Sequence, residues 1–116
     1  MKNIPLILVC IFTLFFLKKR FFDNTNYKQM IVNGGIIVDV RSEAEFVAGH
    51  IEKSLNIPLS GFKSNLKQIQ NKNQPIITCC ASGVRSAVAA KILLAKGYTN
   101  VVNGGGWSRL ERKLEK

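Results

Sequence analysis

The chain has little of what small stapled or metal-held domains depend on. Its 116 residues hold three cysteines, Cys10, Cys79 and Cys80, and a single histidine, His50. One cysteine sits in an apolar run and the other two are neighbours, which bridge only through a strained ring. No disulfide framework follows, and free thiols are expected. There are no internal repeats and no low-complexity segments. Basic residues outnumber acidic ones, 17 to 7, but they are scattered. No basic stripe interleaved with aromatics is present, so a nucleic-acid platform is not indicated. Attraction to anionic lipid or to small anions is the more economical reading of the excess charge.

What is present first is a hydrophobic run. "IPLILVCIFTLFFL", Ile4 to Leu17, carries no charge and is followed by Lys18, Lys19 and Arg20. A cleaved signal peptide fits its length, yet no small-residue cleavage site follows. Val9 before Cys10 is too bulky for a lipoprotein signal. An uncleaved anchor is favoured, although fourteen helical residues span about 21 Å against an apolar core of roughly 30 Å, so the basic residues would snorkel. The expected division is a hydrophobic segment over 1–22, meeting a membrane through residues 4–22, and a globular domain over 23–116. The basic residues after the run orient the domain to the cytoplasm, with an exported or periplasmic location as the alternative.

Beyond a polar linker, "DNTNYK" (23–28), helix and strand signals alternate. "IIVDV" (36–40) and "PIITCC" (75–80) are short β-branched runs that read as buried strands. "NIP" (56–58) and "NVV" (100–102) are lesser strands. Ser42 and Glu45 form an S-x-x-E capping box for a helix that stops at Gly49. Ser60 is a candidate cap for a helix with Phe62, Leu66 and Ile69 on one face. "RSAVAAKILLAKG" is helix-favouring and ends at Gly97. "WSRLERKLEK" closes the chain as an amphipathic helix. This alternation predicts an α/β fold, a parallel sheet with helices on both faces. Ligands gather at the carboxyl ends of such strands, which singles out Asp39, Arg41 and Cys80.

"IITCCASGVRS" (76–86) carries the chemistry, and it has two registers. Cys79 to Arg85 gives C-x5-R, a spacing associated with cysteine-dependent phosphatases; Cys80 to Arg85 gives C-x4-R. A strand-to-helix turn can aim successive backbone N–H groups at one point and so build an anion nest. Gly83 permits the positive φ that such a curl needs. A thiol at its centre becomes a low-pKa nucleophile able to hold an anionic substrate over itself. Cys79 still belongs to the apolar strand and reads as core.

Four motifs together, "DVR", "E-x-x-x-GHI", "C-x-x-G-x-RS" and "GGGW", resemble the rhodanese-like domain family of sulfurtransferases over nearly all of residues 27 to 112. The resemblance implies a small domain around a five-stranded parallel sheet. It implies an active loop of Cys80, Ala81, Ser82, Gly83, Val84 and Arg85, followed by Ser86, with Cys80 as nucleophile. It further implies a ping-pong cycle. Thiosulfate or another small anionic donor gives its sulfane sulfur to Cys80, and cyanide, a thiol or a protein accepts it. Arg85, with Ser82, would help hold the donor; no metal or organic cofactor is called for. Asp39 and Arg41 match the family's D-x-R and read as a structural brace behind the loop. The capping box explains Glu45, and His50 is expected to hydrogen-bond backbone in its G-H-I turn rather than act as a base. Trp107 reads as an anchor for the last helix. Two rivals stand beside this reading: a phosphatase or arsenate-reductase-like activity on Cys79, and a binding module without catalysis.

Overall fold

The computed structural model describes residues 25–115. The apolar run Ile4–Leu17 lies outside them. Among the described residues no helix is long and apolar enough to cross a membrane.

The elements in chain order are α1 (Tyr27–Val32), β1 (Ile36–Asp39), α2 (Glu43–Ala48) and β2 (Leu55–Asn56). A 3-10 helix (Phe62–Gln68), β3 (Ile76–Cys80), α3 (Val84–Ala95), β4 (Val101–Gly106) and α4 (Trp107–Glu115) follow. The strands form one parallel sheet in the order β2-β1-β3-β4. The sheet therefore has four strands among the described residues, where the family resemblance implied five.

Side chains alternate across a strand, and here each face finds its own core. Val38, Val40, Ile76 and Cys80 pack with Phe62, Leu66 and Ile69 of the 3-10 segment and with Ala89 and Leu93 of α3. On the other face Ile37, Ile77 and Cys79 pack with Tyr27 of α1 and Leu110 of α4. Burial on both faces is why β1 and β3 read as unbroken apolar runs.

Several local expectations are corrected. The "linker" runs into α1, whose first two residues are its last two; Asn26 caps the helix by accepting a hydrogen bond from the Gln29 N–H at 3.0 Å, and Tyr27 holds it against the core. The segment after Ser60 is a 3-10 helix, and its cap position is Gly61 (φ +76°), with no side-chain cap. The minimal strand is Leu55–Asn56 rather than 56–58. β4 continues past "NVV" through three glycines to Gly106. A Cβ on Gly104 would lie 2.7 Å from Ile77 Cγ2, and one on Gly106 would lie 2.8 Å from the Ala81 carbonyl oxygen. The glycines let β4 lie flush against β3 and the loop that follows it.

Candidate active site

β3 delivers two adjacent thiols to opposite sides of the sheet. Cys79 is fully buried in the α1/α4 core. Burial, with the nearby Asp39 charge, pushes its pKa up to about 12, so it stays a neutral, inert thiol. Cys80 turns to the α3 side, where the chain leaves the strand. The next residues, Ala81 and Ser82, are exposed bends. Gly83 takes φ +105°, a conformation costly for any other residue, and α3 starts at Val84.

This curl wraps the backbone around the Cys80 sulfur. The Gly83 N–H donates to Sγ at 3.0 Å and the Ser86 N–H at 3.4 Å. The Ser86 hydroxyl lies 3.3 Å from Sγ. Burial alone would raise the thiol's pKa, but the Ser86 hydroxyl and the N–H groups of Ser86, Gly83 and Ser82 outweigh it and bring the pKa below its ordinary value. Two adjacent cysteines thus acquire opposite chemistries from one inversion of side-chain direction. The C-x5-R register has its thiol on the wrong face of the sheet; the C-x4-R register has it inside the nest.

The loop is braced on three sides. From within β3, Thr78 Oγ1 donates to the Ser86 carbonyl at 2.8 Å. From β4, Asn103 Nδ2 donates to the Gly83 carbonyl at 3.0 Å, while its Oδ1 accepts from the Ser86 hydroxyl at 2.7 Å and from the Gly105 N–H at 2.9 Å. From α2, Glu45 takes two hydrogen bonds from Arg85, at 2.7 and 3.0 Å. Arg85 and the Ser42 cap together hold the Glu45 carboxyl down at about 2.

Glu45 therefore does more than its capping box accounts for. The box is present, with Ser42 Oγ accepting from the Glu45 N–H and Glu45 Oε1 accepting from the Ser42 N–H. The same carboxylate also turns Arg85 toward α2. The paired guanidinium keeps donors beyond the two given to Glu45, but its charge is partly neutralised.

The remaining candidates lie at the ends of β1 and α2. Arg41 forks onto Asp39, with Nη2 2.7 Å from Oδ2. It also donates to the Gly49 carbonyl at 2.6 Å and stacks 4.7 Å from the Trp107 ring centroid. Both members of the pair are buried. Their side-chain hydrogen bonds and ring contact tie β1 to the end of α2 and the start of α4 rather than to the Cys80 loop. His50 is exposed, stacks on Phe46 and places Nδ1 2.7 Å from the Phe46 carbonyl. That matches the backbone-bonding role expected of it. Asn103 is a site residue that no sequence motif points to. The one available signal was an asparagine within a strand, a position that strand propensity disfavours.

A buried thiol held by backbone amides at a strand-to-helix turn defines a class: small α/β domains that hold a cysteine in a nest of backbone N–H groups. Comparison with known proteins makes the assignment narrower. A family profile described as Rhodanese-like domain matches residues 23–113, and the chain belongs to that family. The chain is similar to the thiosulfate sulfurtransferase GlpE of Haemophilus influenzae, at 31% identity, with 75% of this chain and 86% of the relative covered. It is also similar to the mitochondrial protein HIGH ARSENIC CONTENT 1 of Arabidopsis thaliana, at 33% identity, covering 70% of this chain. The chain spans only 55% of that plant relative's length. Among solved structures, a rhodanese with anions from E. coli superposes with a TM-score of 0.60 at 32% identity, covering 64% of this chain and 88% of that one.

Proposed function

We propose that the protein is a sulfurtransferase whose sulfur carrier is Cys80, with thiosulfate or a related persulfide as donor. The observation that carries this reading is the Gly83 N–H 3.0 Å from Sγ, inside a loop that lowers the thiol's pKa. A thiolate so held attacks the outer sulfur of thiosulfate. The Sγ–S bond forms, the S–S bond of the donor breaks, and its electron pair leaves on sulfite. The loop amides from Ser82 to Ser86 then face the charged terminal sulfur of the persulfide. An acceptor nucleophile takes that sulfur, and the electron pair of the broken bond returns to Sγ. Arg85, oriented by Glu45, supplies positive charge at the rim, and Ala81, Ser82 and Val84 form the surface that a donor meets first. The family membership and the sulfurtransferase among the relatives support this reading.

Turnover of thiosulfate and cyanide to thiocyanate tests it. Wild-type protein and Cys79→Ala should turn over, and Cys80→Ala should not. Retained turnover in Cys80→Ala, or loss in a folded Cys79→Ala alone, would overturn the assignment.

A further inference from the structure

The Ser86 hydroxyl has one hydrogen and two acceptors in reach. Asn103 Oδ1 is at 2.7 Å and Cys80 Sγ at 3.3 Å. The amide orientation of Asn103 is not free to change. Its Nδ2 is committed to the Gly83 carbonyl, and its Oδ1 also receives the Gly105 N–H. A flip would set an amide NH2 against the Gly105 N–H and leave the Gly83 carbonyl without this donor. With Asn103 so fixed, the hydroxyl hydrogen lies on Oδ1, and Ser86 Oγ is left to accept from the Cys80 S–H.

We propose that Asn103 is a positioning residue for the sulfur carrier, holding the Ser86 hydroxyl hydrogen while the Cys80 sulfur is uncharged and yielding it when that sulfur becomes a thiolate. In the thiol, S–H donates to Ser86 Oγ and Ser86 O–H donates to Asn103. When the proton leaves to solvent, the hydroxyl turns to Sγ, while Oδ1 keeps the Gly105 N–H. In the persulfide the charge sits on the terminal sulfur, and the hydroxyl hydrogen returns to Asn103. Asn103 thereby favours the thiol and the sulfur-loaded form over the bare thiolate. Removing its acceptor makes Sγ a better leaving group and its thiolate a weaker nucleophile, so discharge quickens and, at pH high enough to ionise the thiol fully, loading slows.

Other charged and titratable groups near the sulfur are Arg85 on the loop, Glu45 from α2 paired with it, the Asp39–Arg41 pair at the end of β1, and Cys79. None of them bonds Asn103. The inference rests on Cys80 being the carrier, but its test needs no sulfur donor, so the two readings fail separately.

The test is the pH dependence of iodoacetamide alkylation, followed on the Cys80-bearing peptide of the full chain. Asn103→Leu is close to isosteric, lacks the acceptor, and should lower the Cys80 pKa by roughly one unit. Ser86→Ala should raise it by about as much. The double variant should match Ser86→Ala, since no hydroxyl remains to redirect. Asn103→Asp keeps the size and strengthens the acceptor toward Ser86, although its second oxygen then faces the Gly83 carbonyl without a hydrogen to give; it should raise the pKa, and the part carried by the hydroxyl is the part of the rise that disappears when Ser86 is alanine. If Asn103 were only a clamp on Gly83, Asn103→Leu would loosen the nest and raise the pKa or leave it alone. That result, or an Asn103→Leu shift that persists without the Ser86 hydroxyl, overturns the proposal. Should Asn103→Leu not fold, an unshifted pKa in Asn103→Asp overturns it equally.

Discussion

Replacing Gly83 with alanine perturbs the site at the point where backbone shape and thiol chemistry meet. Gly83 sits at φ +105°, where an L side chain costs about 1–2 kcal/mol. The new Cβ would lie 3.3 Å from Gly105 Cα, a tight contact with backbone that has little room to yield. Relief requires the peptide to rotate, and that rotation takes the Gly83 N–H away from Sγ. A hydrogen bond to a charged group contributes roughly 1.5–3 kcal/mol. Losing it translates into a rise of about one to two pKa units for Cys80. Two assays read the two consequences. Urea unfolding should show a loss of about 1–2 kcal/mol, and the alkylation profile of Cys80 should move to higher pH. A stability loss with an unmoved alkylation profile would refute the claim that this N–H holds the thiolate. No change in either would refute the strain argument as well.

Cys79→Ala should cost about 1–2 kcal/mol of stability through lost packing and leave the Cys80 alkylation profile in place; a shifted profile would mean that the two thiols are coupled. In the native protein at neutral pH, Cys79 should resist alkylation until the chain is unfolded, because its pKa stands near 12; modification of the folded protein at Cys79 would contradict its burial. Asp39→Ala strands the buried Arg41 and should destabilise by roughly 3–5 kcal/mol, read by urea unfolding; a near-neutral result would show that Arg41 reaches water. The Glu45 carboxyl is lowered from 4.5 to about 2 on folding, so its contribution is present above about 4.5 and is lost as pH falls toward 2. The thermal-midpoint difference between wild type and Glu45→Gln should hold above that window and shrink through it; a difference that stays constant down to pH 2 would refute the Arg85 pairing.

What could be read from the sequence is what local chemistry decides. β1 and β3 are legible because burial on both faces leaves unbroken β-branched runs, and α2 because its capping box is self-contained within four residues. That Cys80 rather than Cys79 lies in the curl of the loop is legible once the end of the strand is placed, since one residue of offset reverses the face. α1 is not legible: six residues beginning in a polar stretch carry too weak a helical signal, and Tyr27 owes its place to the α4 side of the core. The far half of β4 is not legible because glycine and asparagine disfavour strands, whereas the value of Gly104 and Gly106 lies in close approach to Ile77 and Ala81. The Glu45–Arg85 pair spans 40 residues, and the Ser86–Asn103 bond spans 17. No spacing rule along the chain points to either, since only the sheet and the helices packed on it bring those residues together.

One measurement separates the two adjacent thiols as carriers of sulfur. The full chain is treated with thiosulfate, the persulfide is trapped by alkylation, and the peptide is fragmented between Cys79 and Cys80. A gain of one sulfur atom on Cys80, removed by prior treatment with cyanide, is expected. Sulfur on Cys79, or no sulfur on either, would contradict it.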